Sequence, residues 1–155
     1  MTEKDRMTGD QDLEIRVRKA TLQDLDTLVE FNAAMALESE GRALDLDRLR
    51  SGVTAVFDDH ARGFYYLAEV SGRVAGQLLI TTEWSDWRNG NFWWIQSVYV
   101  RPDYRRRGVY RTLHNHVVDE AHRQGNVCGI RLYVDRDNHR AKSVYASLDM
   151  GHSNY

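Results

Sequence analysis

SVYVRPDYRRRGVYRT, residues 97–112, opens as an apolar strand, turns through Arg101, Pro102 and Asp103, and ends where a helix begins. Between strand and helix stand Arg105, Arg106, Arg107 and Gly108, four consecutive positions able to meet an anion. The first N–H groups of a helix lack intrahelical partners, and the helix dipole favours negative charge at that end, so a strand feeding such a turn builds a phosphate site. An exposed dipole contributes only about 0.3–1 kcal/mol. The flanking arginines must supply much of the grip, and a phosphate-bearing cofactor is expected here.

Upstream of this stretch the chain is β-rich. FYYLAEV from Phe64 and VAGQLLITTEW from Val74 are joined by Ser71-Gly72, a short hairpin signal, and Asn89-Gly90 marks a second reversal before NFWWIQSVYV. These runs read as three consecutive antiparallel strands. Downstream, the spacing of Tyr110, Leu113, Val117 and Ala121 predicts a helix over 109–124. A strand over 127–134 follows, then a helix over 139–149 with Ala141, Val144, Tyr145 and Leu148 as its stripe. Near the N-terminus a half-buried strand over 15–20 alternates Ile15 and Val17 inward with Arg16 and Arg18 outward. Thr21 and Asp24 form a capping-box signature for a helix that carries Leu25, Leu28, Val29, Asn32 and Ala36 on one face and ends near Gly41. A second helix, about 45–58, repeats the spacing with Leu46, Leu49, Val53, Val56 and Phe57, and an acidic turn, Glu38-Ser39-Glu40, lies between the two. The order β-α-α-β-β-β-α-β-α predicts an α/β (α+β) fold with a mixed, mostly antiparallel central sheet flanked by helices on both faces.

At 155 residues the chain fits one domain, expected over 14–155 behind a frayed start at 1–13. A net charge of −2 argues against a polyanion binder, since the basic residues gather at 101–111 instead of spreading over a face. A nucleic-acid reading through Arg101, Arg105, Arg106, Arg107 and Arg111 is the rival this disfavours. The lone Cys128, in the apolar run VCGI, excludes an internal disulfide framework and reads as a buried structural thiol in a reducing compartment. No apolar run approaches the roughly 20 residues that span a bilayer, so a cytoplasmic protein with no membrane partner is expected. His114, His116, His122, His139 and His152 have no carboxylate or cysteine at ligand spacing, and no metal is expected.

Arg105-Arg106-Arg107-Gly108-Val109-Tyr110 resembles the [Arg/Gln]-x-x-Gly-x-[Gly/Ala] motif of the GNAT superfamily of N-acetyltransferases. It departs at Tyr110, where the family carries Gly or Ala. A second likeness comes about thirty residues on, where Asn138, Ala141, Tyr145, Leu148 and Gly151 resemble the family's Asn-x-x-Ala-x-x-x-Tyr-x-x-Leu-Gly segment. The resemblance covers the chain from about Ile15, with its specific motifs between Gln96 and Gly151. It implies an acyl-CoA N-acyltransferase fold, acetyl-CoA as donor, and acetyl transfer to a primary amine by direct attack.

Carried over by residue, the resemblance implies that the backbone of Val98, Tyr99 and Val100 pairs with the pantetheine arm, with the Val98 N–H as oxyanion donor. Arg105, Arg106, Arg107, Gly108, Val109, Tyr110 and Arg111 hold the pyrophosphate. Asn138 and Ala141 meet the arm, Asn138 also as helix N-cap, and Arg140 either meets a phosphate or faces solvent. Tyr145 is the general acid, because a phenol with pKa near ~10 keeps its proton at neutral pH. Alternatively it belongs to the apolar stripe. Some diamine acetyltransferases carry Glu where this chain has Gln96, and an amide cannot take the proton. Gln96 is then expected to orient water or amine, with Glu83 as the substitute base or a solvated loop carboxylate. Loss of that base also admits a catalytically silent acyl-CoA sensor, and acetylation of protein amines is a further alternative. Glu83-Trp84-Ser85-Asp86-Trp87 and Trp93-Trp94 hold all four tryptophans, and aromatic faces beside carboxylates suit a small cationic amine. Exposed tryptophan also marks interfaces, and a homodimer is expected. The resemblance implies one or two more strands after Gly151, so the last strand should be short, supplied by a partner, or missing from this sequence.

Overall fold

Alternation and hairpin turns make Phe64 to Val100 the middle of the molecule. The computed structural model describes residues 13–151. The expected frayed start and His152 therefore fall almost wholly outside the described residues, as does any strand after Gly151. In chain order the elements are β1 (Ile15–Lys19), α1 (Leu25–Glu40), α2 (Leu46–Asp58), β2 (Phe64–Val70), β3 (Arg73–Ser85), β4 (Gly90–Val100), α3 (Val109–Gln124), β5 (Val127–Leu132) and α4 (His139–Ser147). The sheet order is β1-β2-β3-β4-β5. The first four strands pair antiparallel in sequence, and β5 returns through α3 to lie parallel to β4. Ser71 (φ 52°) and Gly72 (φ 76°) both take left-handed backbone, the turn geometry that matches strand twist in a two-residue hairpin.

Helices cover both faces. On one, Val109, Leu113, Val117 and Ala121 of α3 pack on Tyr66, Ala68, Leu78, Ile80, Trp93 and Ile95. On the other, Leu28 of α1 and Val53 of α2 cover Tyr65 and Leu67. Gly76 in β3 lets α3 start this close to the sheet, because a Cβ there would stand 3.0 Å from both the Tyr99 carbonyl oxygen and Val109 Cγ1. Arg18 points away from that core yet is only partly open. It forks onto both Asp24 oxygens at 2.8 Å and reaches Glu69 at 2.6 Å, pinning β1 to the entry of α1.

Several local expectations change. Thr21 and Asp24 begin a short 3₁₀ turn over Leu22–Asp24, and the α-helix starts at Leu25. Leu46, expected inward, is the first residue of α2 and is 59% exposed, so the buried stripe of that helix begins later, at Leu49 and Val53. Glu38-Ser39-Glu40 is the last turn of α1, not a connecting turn, and Gly41 (φ 60°) then ends the helix. β5 stops at Leu132 and α4 at Ser147.

One irregularity places the site. Gln77 pairs with Tyr99 and Leu79 with Gln96, so Ser97 and Val98 together face the single residue Leu78. This β-bulge puts Ser97 at φ 51°. Gln77 is fully buried beneath it and donates from Nε2 to the Ser97 carbonyl at 2.9 Å. Pairing of β4 with β5 ends at Ile95 and Leu132, so Gln96–Val100 runs on without its parallel neighbour. The sheet opens there.

Candidate functional site

A cleft of about 720 Å³ lies where β4 loses that neighbour. Its floor is Val98, Tyr99 and Val100, and its walls are Tyr104, Arg105, Arg106 and Gly108 of the turn, the start of α3, Met35, Glu38 and Ser39 of α1, and Arg140 and Val144 of α4. Tyr99 packs against Phe31 of α1 with the rings tilted at 44° and 5.0 Å between centroids, while Val98 and Val100 pack toward α3, which holds this end of β4 from both faces.

The basic turn divides its arginines between bracing and reaching. Arg101 is a brace: its Nε donates to the Val74 carbonyl at 2.8 Å, and its guanidinium lies 4.8 Å from the Phe31 ring centre and 3.6 Å from Glu30. Arg107 lies over Tyr104, 5.8 Å from its ring centre, and does not line the cleft. Arg105, Arg106, Arg111 and Arg140 do line it. Among the described residues, no carboxylate pairs with Arg106, Arg111 or Arg140, whereas Arg105 reaches Glu38 at 2.6 Å. Gly108 caps α3 at φ 85° and no side chain caps the helix, so its leading N–H groups face the cleft mouth without a side-chain acceptor. Only open space surrounds the point where a Gly108 Cβ would stand.

Tyr110 lines the cleft beside Gly108. Its hydroxyl lies 3.1 Å from Nδ1 of the buried His114, and its ring meets that of Tyr145 edge-on at 5.8 Å. Burial lowers the His114 pKa, so the imidazole stays neutral, and burial raises both phenols above their ordinary range. Tyr145 is half-buried behind Tyr110 and does not line the cleft itself. Asn138 caps α4, its Oδ1 accepting from the Ala141 N–H at 3.0 Å, and neither residue lines the cleft.

Gln96 is exposed and donates from Nε2 to Thr81 Oγ1 at 2.6 Å. Glu83 is exposed and accepts from Trp94 Nε1 at 2.8 Å. Glu83 pairs with Phe92, four positions along β4 from Gln96, which is about 13 Å at 3.3 Å per residue. A proton could pass from an amine at Val98 to Glu83 only along a chain of waters.

The four tryptophans do not form one surface. Trp93 is buried among the α3-side core, edge-on to Phe64 at 5.4 Å. Trp94 faces the other way and stacks on Tyr133 at 4.7 Å. Arg131 lies 3.6 Å from the Phe92 ring centre and 5.9 Å from that of Trp94, so the protein's own guanidinium already takes these faces. Only Trp84 and Trp87, 60% and 91% exposed, stand free at the β3–β4 end. The bulge, the buried Gln77 amide and the Glu38–Arg105 pair were missed by sequence reading. Gln77 had a signal, a lone amide inside the apolar run VAGQLLI.

Among the described residues no group of three or more His, Cys, Asp or Glu side chains could hold a metal ion, and no helix is long and apolar enough to cross a membrane. The model of the acetyltransferase (GNAT) family matches residues 28–150. The chain belongs to this GNAT family. No curated protein matches it. Among solved structures it is similar to a possible acetyltransferase from Clostridium difficile 630, with 45% identity over 91% of this chain and 93% of that one and a TM-score of 0.85. A predicted acetyltransferase with acetyl-CoA from Clostridium acetobutylicum shares the fold at 19% identity, TM-score 0.72, over 90% and 92% of the two chains. So does a ribosomal-protein-alanine N-acetyltransferase from Brucella melitensis biovar Abortus 2308, at 15% identity, TM-score 0.71, over 91% and 94%. As a GNAT protein the chain is an acetyl-CoA-dependent acyltransferase. The cleft fits that co-substrate: unpaired arginines and an uncapped helix start suit phosphates, and an unpaired strand end suits an amide-bearing arm.

Proposed function

We propose that this GNAT chain moves an acetyl group from acetyl-CoA to a primary amine by direct attack, and that the acceptor is a small cationic amine. The observation that carries the reading is the bulge at Ser97 and Val98, which opens into the same cleft as the uncapped start of α3. Acetyl-CoA supplies the activated thioester. Arg105, Arg106, Arg111 and Arg140 hold its phosphates, helped by the N–H groups after Gly108. The strand Val98–Val100 offers backbone partners to the arm. The Val98 N–H stabilises charge on the reacting carbonyl oxygen, a fixed donor that needs no reorganisation during the reaction. Tyr145 keeps its phenolic proton at neutral pH, since burial pushes its pKa up, and delivers it to the departing sulfur once the bound arm has moved the Tyr110 ring that stands between Tyr145 and the cleft. Gln96 positions water or the amine, and Glu83 draws its proton away through water.

The cationic acceptor is supported by the carboxylate of Glu38 on the cleft wall. Gln96, an amide at the carboxylate position of some relatives, favours one other reading, a silent acyl-CoA sensor. Calorimetric titration with acetyl-CoA, coenzyme A and ATP, followed by a thiol-release assay over an amine panel, separates them. Tight binding of both coenzyme forms but not ATP, with thiol release on a diamine, supports the proposal. Binding without release on any amine supports the sensor.

A further inference from the structure

The first arginine of the basic turn already holds an anion that belongs to the protein. Arg105 Nη2 donates to Glu38 Oε2 at 2.6 Å, while its Nε donates to the Val100 carbonyl at 2.9 Å. The guanidinium also lies 5.5 Å from the Tyr99 ring centre. Backbone and ring fix it at the cleft floor, and the carboxylate reaches it from the last turn of α1 across the cleft. Both side chains of the pair are just over two-fifths exposed, 43% and 44%, and pairs this open are weak and exchangeable. A pyrophosphate, with two negative charges and four non-bridging acceptor oxygens, displaces a single carboxylate from a guanidinium fork.

That displacement leaves Glu38 without its cation, on the cleft wall beside a newly bound negative group. Two like charges at close range favour arrival of a cation. The acceptor supplies one, as an ammonium. Glu83 is poorly placed to take this role, since Trp94 Nε1 donates to its carboxylate and the Arg131 guanidinium lies 5.9 Å from the centre of that same Trp94 ring. We propose that Glu38 is an exchangeable carboxylate that pairs with Arg105 before coenzyme binds and passes to an ammonium group of the acceptor once coenzyme phosphate takes Arg105. This rests on the acetyl-CoA reading of the cleft. Coenzyme and cationic acceptor then each raise the other's affinity by the same factor. Acceptors whose far end is neutral or acidic gain nothing from the exchange, so Glu38 sets acceptor charge preference.

Calorimetric titration of coenzyme A tests this without turnover, using the wild-type chain, Glu38→Gln and Glu40→Gln, with and without spermidine as the cation probe. Glu40 lies on the same exposed turn and, among the described residues, has no basic partner, so it controls for charge alone. Glu38→Gln removes the internal competitor and should bind coenzyme A about two- to fivefold tighter, with Glu40→Gln at the wild-type value. Spermidine should tighten coenzyme A binding to wild type and leave Glu38→Gln unmoved. Unchanged or weaker binding by Glu38→Gln overturns the exchange, as does equal tightening in Glu40→Gln. A spermidine effect that survives Glu38→Gln overturns the passage to the acceptor. No binding of coenzyme A by any of the three would instead sink the acetyl-CoA reading itself.

Discussion

Tyr110 stands where the GNAT motif carries a small residue, and its ring changes what its neighbours can do. It fills the space between α3 and α4, meeting Tyr145 edge-on and His114 through its hydroxyl. Burial keeps the imidazole neutral and both phenols protonated, so the trio carries no charge at neutral pH. Tyr145→Phe keeps the ring contact and removes only the proton, so kcat should fall by about 10²-fold or more with coenzyme affinity unchanged. Equal kcat in the two enzymes would make Tyr145 a packing residue. Gly108 is fixed by a different constraint. A Cβ there meets no neighbour, but φ 85° is left-handed and the Cβ would project into open space at the helix start. Gly108→Val should cost about 1–3 kcal/mol of stability and weaken coenzyme A binding about tenfold. Gly108→Asn, which tolerates that backbone, should lose far less stability in a urea titration.

At the scale of elements, one buried side chain braces the bulge of β4. Gln77 spends its amide N–H on the Ser97 carbonyl and leaves its own Oε1 buried with no partner among the described residues. Gln77→Leu removes both a hydrogen bond and an unpartnered acceptor, so stability should change by less than about 1 kcal/mol. The Ser97–Val98 backbone would relax, and misplacing the Val98 N–H should lower kcat about tenfold. A wild-type kcat in a well-folded Gln77→Leu chain would show that the bulge holds itself. The bulge also marks where the sequence stops being legible. Strands, hairpins and helices follow from period-2 and period-3.6 patterns, each carried by several side chains. A bulge is one residue of register, and no local pattern around Ser97 reports it. The tryptophans fail for a related reason. Trp93 and Trp94 are adjacent in a strand and so point to opposite faces, which divides a cluster that looks continuous in the chain. The Glu38–Arg105 pair joins residues 67 apart, and only the packing of α1 on β4 brings them together.

For the whole molecule, the apolar stripes of α1, α2 and α3 cover the two faces of the sheet, with Leu46 left outside, whereas the stripe expected on α4 buries none of its residues and Val144 is 39% exposed. What those stripes do not tell is the cost of a polar atom set among them. Tyr66 is 1% exposed at the centre of the α3-side core, edge-on to His116 at 4.9 Å, and its hydroxyl has no partner among the described residues. Burial, and secondarily the Glu120 carboxylate, push its pKa up to about 12. Unfolded, the phenol ionises near ~10, so above that pH the unfolded chain sheds a proton that the folded chain keeps. Stability from this group is therefore complete below about pH 10 and is lost progressively as pH rises toward about 12. Tyr65, Tyr99, Tyr110 and Tyr145 are shifted the same way and steepen the same limb. Tyr66→Phe keeps the ring packing and removes the hydroxyl, so it should stabilise the fold by about 1 kcal/mol at pH 7 and by more at pH 11. Urea unfolding of the two chains at both pH values checks this. A stability difference that stays constant with pH would mean the hydroxyl reaches water in the folded state, whereas a loss at pH 7 would mean it holds a hydrogen bond that matters.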